Sequence, residues 1–304
     1  MTLRRFILGR AVHCTGQPGL LLTQNTLRRE AAHLRHHMDV LTPGFDLARY
    51  LGTVAHAPER VLLLDYDGTL APFRIRPEFA APYPRVREAL NAIQRAGGTR
   101  IIIMSGRRAA ELPPLLPLRQ RPEIWGLHGW ERLQPDGTML VARPREHERA
   151  ALEEAAALLE PTLRAGSRIE RKPGSVALHW RGVPAIAVAK LKAAAAAAWK
   201  ALAHDRGLDF VAFDGGLELR VPGWNQQNAV RTLLRDIPET AAIAYLGDDT
   251  TDEDVFEEVK TRGLAVLVRE RFRQTSADVW LRPPRDLLAF LSHWRVGPVA
   301  ASSA

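Results

Sequence analysis

The chain has 304 residues, 46% of them apolar, enough to bury the core of one large domain or two smaller ones. Its net charge of +8 is carried mainly by arginines scattered along the chain with few aromatics between them, which suits small anionic ligands and argues against nucleic-acid binding. No uncharged apolar stretch reaches about 18 residues, so no membrane span is expected. The only cysteine, Cys14, excludes an internal disulfide and a cysteine metal site, in keeping with a reducing, cytoplasmic compartment.

Residues 1–37 set six arginines, Arg4 to Arg35, against one acid, Glu30, without the apolar run and cleavage site of a secretory signal. The simplest expectation is a flexible extension over 1–45, with Met38 as an alternative first residue of the folded protein. Residues 61–66 form an apolar run suited to a strand covered on both faces. A helix is predicted over 84–96, with Pro84 near its start and Gly97-Gly98 at its end. A second buried strand follows at 99–107, then a short helical stretch stopped by Pro113-Pro114, then a third strand at 123–129. Strand–helix–strand alternation implies a parallel sheet with right-handed crossovers.

From 135 the pattern changes. A turn at 135–139 leads to a helix at 146–164. Residues 167–181 alternate like one half-exposed strand. A long Ala/Lys helix spans 184–204, and 209–221 reads as a hairpin turning at Asp214-Gly215-Gly216. The first style then returns, with a helix at 226–235, a strand at 242–249, a helix at 251–260, a strand at 263–268 and a last helix at 285–294. The expected class is α/β: a Rossmann-like core at 46–134 and 223–296, interrupted by an α+β domain at 135–222, with a tail at 297–304. Trp130, Trp180 and Trp224 are expected in core packing.

In parallel sheets, ligands sit at the carboxyl ends of the strands. Asp65, Asp67, Ser105 and His128 fall at such ends, as does the acidic run 248–254. Carboxylates ending a buried strand are costly unless paired, and two that face the same way repel; a divalent cation such as magnesium relieves both problems. Both acidic groups are therefore expected to meet around one ion.

The chain carries LLLDYDGTLAPF (62–73), IIIMSGR (101–107), GLHGWER (126–132), ERKPGSVALHWR (170–181), LELRVP (217–222) and YLGDDTTDEDVF (245–256). Taken together, this set resembles the trehalose-6-phosphate phosphatases of the haloacid-dehalogenase superfamily. The resemblance implies a haloacid-dehalogenase core with a mobile cap, and magnesium-dependent hydrolysis of a small sugar phosphate, trehalose 6-phosphate. Asp65 is then the nucleophile and Asp67 the general acid and base. Thr69, Ser105, Gly106 and Arg107 hold phosphate. His128, Glu131, Glu170, Lys172, His179, Arg181 and Glu218 contact the sugar. Asp65, the Asp67 carbonyl, Asp248 and Asp249 ligate magnesium, with Asp252 a further ligand or support. A glycosyl-phosphoglycerate is the alternative substrate, and a monomer is the default expectation. A lysine that the family carries after ELR-x-P is replaced here by Gln226, and no lysine lies between Lys200 and Lys260. Losing a charged donor at such a site costs about 3–4 kcal/mol, so Arg171, Lys172, Arg220 and Arg231 become candidates to replace it. A catalytically silent relative that binds a ligand and regulates is the alternative from another class.

Overall fold

The computed structural model describes residues 38–163, 166–213, 215–223 and 225–298. The extension at 1–37, Cys14, Asp214, Trp224 and the end of the tail lie outside them. The described chain runs β1 (Asp39–Val40), α1 (Leu47–His56), β2 (Arg60–Asp65), α2 (Val86–Ala96), β3 (Arg100–Met104), α3 (Leu112–Leu115), β4 (Glu123–Gly126), β5 (Glu131–Leu133) and β6 (Met139–Val141). It continues through α4 (Glu146–Leu159), β7 (Arg168–Lys172), β8 (Ser175–His179), α5 (Ala185–Arg206), β9 (Asp209–Phe213), β10 (Gly216–Arg220), α6 (Gln226–Asp236), β11 (Ala242–Gly247), α7 (Glu253–Lys260), β12 (Leu264–Val268), β13 (Val279–Leu281) and α8 (Arg285–Ser292).

One sheet has the order β1-β13-β12-β11-β2-β3-β4-β5-β6. Its six central strands are parallel, and the outer pairs β1–β13, β4–β5 and β5–β6 are antiparallel. From β2 the chain steps outward through β3 and β4; from β11 it steps the opposite way through β12 and β13. The crevice between β2 and β11 is thus the topological switch point, where such sheets bind ligands. Every residue of β2, β11 and β12 is buried, which is why they read as continuous apolar runs instead of alternating ones. Leu63, Tyr245, Ile102 and Leu267 pack on one side with Val230 and Leu233 of α6 and Val255 and Phe256 of α7. Helix α2 ends at Gly97 in the left-handed region (φ 80°), the conformation glycine adopts without a Cβ penalty.

The second sheet, β7-β8-β10-β9, is wholly antiparallel. Leu152 and Ala155 of α4 and Leu191, Ala195 and Trp199 of α5 share a buried cluster with Leu178 and Leu219 of its inner strands. Trp130 and Trp180 are buried in this cluster, as expected of packing residues.

Four expectations change. Residues 167–181 are a hairpin, with Lys172 paired to Ser175 across a two-residue Pro173-Gly174 turn. A Pro-Gly step reverses the chain, and alternation on either side of it looks the same in sequence. The prolines Pro113 and Pro114 lie inside α3, because the first turn of a helix needs no N–H from them. The chain is folded before residue 46, since β1 pairs with β13. Strand β6, beyond the change of style at 135, belongs to the larger sheet and pairs with β5.

Candidate active site

Strands β2 and β11 lie side by side with Leu64 opposite Leu246, so the next residues of both chains emerge together at the carboxyl edge. Asp65 ends β2, and Asp248 follows β11 directly. Oxygens of Asp65, Asp248 and Asp252 all lie within 4.8 Å of one another. Two glycines leave room for this. A Cβ on Gly68 (φ 93°) would stand 2.2 Å from the Asp248 carboxyl carbon, and one on Gly247 would stand 2.5 Å from that of Asp252.

Asp252 rather than Asp249 supplies the third converging carboxylate. The helical turn Thr250–Asp252 brings residue 252 back under the loop, where one oxygen accepts the Asp248 and Asp249 N–H groups, each at 2.9 Å. The Asp249 side chain instead caps that turn, accepting from Thr250 N–H at 2.7 Å. Arg273 clamps the same loop from outside, donating to the carbonyls of Asp248 (3.2 Å) and Asp249 (2.6 Å) and to the Glu253 carboxylate. Arg269 donates to the Asp248 carbonyl at 3.2 Å. Neither arginine carries a motif that marks it in the sequence.

The electrostatics follow from crowding. Burial, then the charges of Asp252, Asp248 and Asp67, push the Asp65 carboxyl well above the usual range. Burial, then Asp252 and Asp249, push Asp248 up to about 8. A set of oxygen donors that resist ionising together is the environment a hard divalent cation stabilises. Asp67 is satisfied differently: the Arg107 guanidinium donates to both its oxygens, at 2.5 and 2.7 Å, the fork geometry that favours the charged pair. The Arg107 N–H in turn donates to Ser105 Oγ at 3.1 Å, tying the strand-end loop after β3 to that pair.

A cleft of about 530 Å³ joins this edge to the second sheet. Asp65, Asp67, Ser105, Gly106, Arg107 and His128 line it from the larger sheet, with Asp248 and Asp249. Glu170, Lys172, His179 and Arg181 line it from the smaller one. Glu218 lines an adjoining lobe; Ser175 Oγ donates to it at 2.6 Å, and Lys172 Nζ forms an ion pair with it at 3.8 Å. His179 Nε2 sits 2.6 Å from Glu170, and burial of that carboxyl is outweighed by His179, Lys172 and Arg168, which hold it at about 2. Arg181 reaches over the Phe73 ring at 5.7 Å, a contact between the two sheets' sides of the cleft.

Two expected contacts fall elsewhere. Thr69 is fully buried in the turn after β2 and outside the cleft lining; its Oγ1 has no hydrogen-bond partner. Glu131 is turned inward to brace the loop after Arg107, accepting from Ala109 N–H at 2.8 Å. Of the candidates to replace the missing lysine, Arg231 is bound to Glu258 at 2.7 Å and Arg171 to Glu160, both away from the cleft. Lys172 lines the cleft, and Arg220 lines the adjoining lobe.

A family model for trehalose-phosphatase matches residues 63–279, from within β2 to the start of β13. The chain belongs to the trehalose-phosphatase family. It is 32% identical to the trehalose-phosphate phosphatase of Mycobacterium marinum over 77% of its own length, and spans 60% of that protein. It is also 32% identical, over 76% of its length, to an uncharacterized glycosyl hydrolase of Mycobacterium tuberculosis, of which it spans 18%. The matched stretch thus covers less than two thirds of either relative. Among solved structures, that of Aspergillus fumigatus trehalose-6-phosphate phosphatase superposes with a TM-score of 0.63 at 26% identity, covering 84% of this chain and 99% of that one. Gln226, where the resemblance led to the expectation of a lysine, is a buried amide at the start of α6. Among the described residues no helix is long and apolar enough to cross a membrane.

Proposed function

We propose that the protein is a phosphatase that releases phosphate from trehalose 6-phosphate, with Asp65 as nucleophile. The observation that carries this reading is the meeting of Asp65 with Asp248 and Asp252 at the switch point, under a cleft lined by cations from the second sheet. Membership of the trehalose-phosphatase family supports the same substrate class.

The residues present suit the steps. An Asp65 oxygen attacks phosphorus as the bond from phosphorus to the sugar oxygen breaks, and Asp67 gives that oxygen its proton. Asp67 then takes a proton from water, whose oxygen displaces Asp65 from phosphorus and restores its carboxylate. A proton on Asp67 weakens its pair with Arg107 and frees guanidinium donors for phosphoryl oxygens. Ser105 and Gly106 border the same place, and Lys172 approaches from the second sheet. Magnesium fits the donor set: Asp65 and Asp248 would hold it, braced by Asp252, and when bound it offsets the negative charge that builds on the transferring phosphoryl group.

Phosphate release from trehalose 6-phosphate, measured with magnesium and with a chelator, tests the reading. Turnover only with the cation, and faster than on a panel of other sugar phosphates including a glycosyl-phosphoglycerate, is the expected result. Gln226 favours one second reading, a silent relative that binds the sugar phosphate without turning it over. Saturable binding with no phosphate released would establish that reading and remove the first.

A further inference from the structure

Gln226 is 6% exposed and stands at the head of a hydrogen-bond series that ends on the acidic cluster. Its Nε2 donates to the Tyr245 hydroxyl oxygen at 2.5 Å and reaches Asp252 Oδ1 at 3.5 Å. The Tyr245 hydroxyl donates to Asp252 Oδ1 at 2.5 Å, and Asp252 Oδ2 accepts two main-chain N–H groups. The geometry sets the direction of each bond in turn, starting from the Tyr245 hydroxyl that donates to Asp252. The tyrosine proton points at Asp252, which leaves the tyrosine oxygen to accept from an amide N–H. The Gln226 carbonyl must therefore face the other way, and there it meets His128 Nδ1 at 3.2 Å.

A carbonyl cannot donate, so Nδ1 carries the hydrogen. Burial, then the charge of Lys172, holds the ring's pKa below its ordinary value and favours the neutral form. A neutral imidazole has a single N–H, which leaves Nε2 with a lone pair. That nitrogen lies over Gly106, where an added Cβ would stand 2.8 Å from it. The ring is placed by the main chain: Leu127 and His128 are left-handed (φ 50° and 55°), and the His128 N–H donates to the Ser105 carbonyl at 3.1 Å. Main-chain placement does not choose the tautomer; the partner of Nδ1 does.

We propose that Gln226, aligned by Tyr245 and Asp252, is a positioning residue that holds His128 as its Nδ1–H tautomer and presents Nε2 to the cleft as an acceptor for a ligand hydroxyl. A lysine at 226 has donors only and cannot take the Nδ1–H. The glutamine is then the residue that gives this histidine its orientation, and not simply a lost charge. That the hydroxyl belongs to a sugar rests on the phosphatase reading; the tautomer does not.

The test uses the full chain labelled with ¹⁵N-histidine, with His128 assigned by the signal that His128→Asn removes. Long-range proton–nitrogen spectra are expected to show Nδ1 protonated and Nε2 bare in the unchanged protein. In Gln226→Lys the pattern should reverse or average. Tyr245→Phe, which removes one link and leaves 226 intact, should shift it part of the way and serves if Gln226→Lys does not fold. A protonated Nε2 in the unchanged protein, or a pattern indifferent to both substitutions, overturns the proposal. With trehalose 6-phosphate, Gln226→Lys should lower kcat/KM about tenfold, mainly through KM, as for one lost oriented hydrogen bond. A rise in kcat/KM would overturn it. If the unchanged protein releases no phosphate at all, the phosphatase reading fails and the spectra still decide the tautomer.

Discussion

Asp65 and Asp248 are held by the fold at a place in the sheet where burial and the charges of neighbouring carboxylates both oppose their ionisation. Asp65→Asn should therefore separate activity from stability. Phosphate release should fall by about 10³-fold or more, while the melting temperature in chelator at pH 8 should stay the same or rise, because a buried charge has been removed. A large fall in both would mean the carboxylate is structural. The pH dependence follows from Asp248, whose pKa rises from 3.8 to about 8 on folding without a cation. Between those values the folded protein keeps a proton that the unfolded chain has lost, so this group's contribution to stability declines from about pH 4 and reaches its full cost above about pH 8. A divalent cation competes with that proton. The rise in melting temperature on adding magnesium should be larger at pH 8 than at pH 5, as thermal melts at both pH values would show; equal increments would contradict the competition.

Among the elements, the turn after β2 shows most directly how local geometry serves the site. Gly68 has φ 93° and sits against the Asp248 carboxylate, so Gly68→Ala would both strain the backbone and displace that side chain. We expect phosphate release to drop below about 1% of the unchanged protein and the magnesium-induced rise in melting temperature to vanish, with the far-ultraviolet circular dichroism retained. Retention of the magnesium effect would show that Asp248 does not need this approach. Several elements were open to reading from local sequence. The apolar runs at β2, β3, β11 and β12 and the helix closed by Gly97 each state their burial or reversal within a few residues. The hairpin at 168–179 was not, because its two strands carry the same alternation as one long strand and the turn adds only Pro173-Gly174.

At the scale of the molecule, the two sheets have separate buried clusters, one under β2 and β11 and one around Trp199. Leu127 and Trp130, from the loop after β4, pack in the second. Trp199 is fully buried and donates from Nε1 to the Ala155 carbonyl at 2.9 Å, tying α5 to α4. Trp199→Ala should cost the smaller unit about 3–5 kcal/mol. Urea unfolding followed by circular dichroism should then show that unit's transition moving to lower denaturant while the larger sheet's stays in place. A single transition that moves as a whole would mean the contacts of Leu127 and Trp130 couple the two units.

Composition, apolar runs and turn residues were enough to read an α/β core with an inserted α+β unit, and they put Asp65, Asp67 and the acidic run 248–254 at strand ends; singling out Asp248 took the family resemblance. These features are local: a few neighbouring residues decide whether a segment is buried, turns or ends. Which carboxylates converge is not local. It depends on β2 lying beside β11 with Leu64 opposite Leu246, and on the helical turn that brings Asp252 in and turns Asp249 out. The inward turn of Glu131, the burial of Thr69, the clamp of Arg273 and the series from Asp252 through Tyr245 and Gln226 to His128 likewise arise from contacts between distant segments. Spacing along the chain carries no trace of such contacts, because strand register and side-chain direction are settled only when the sheet assembles.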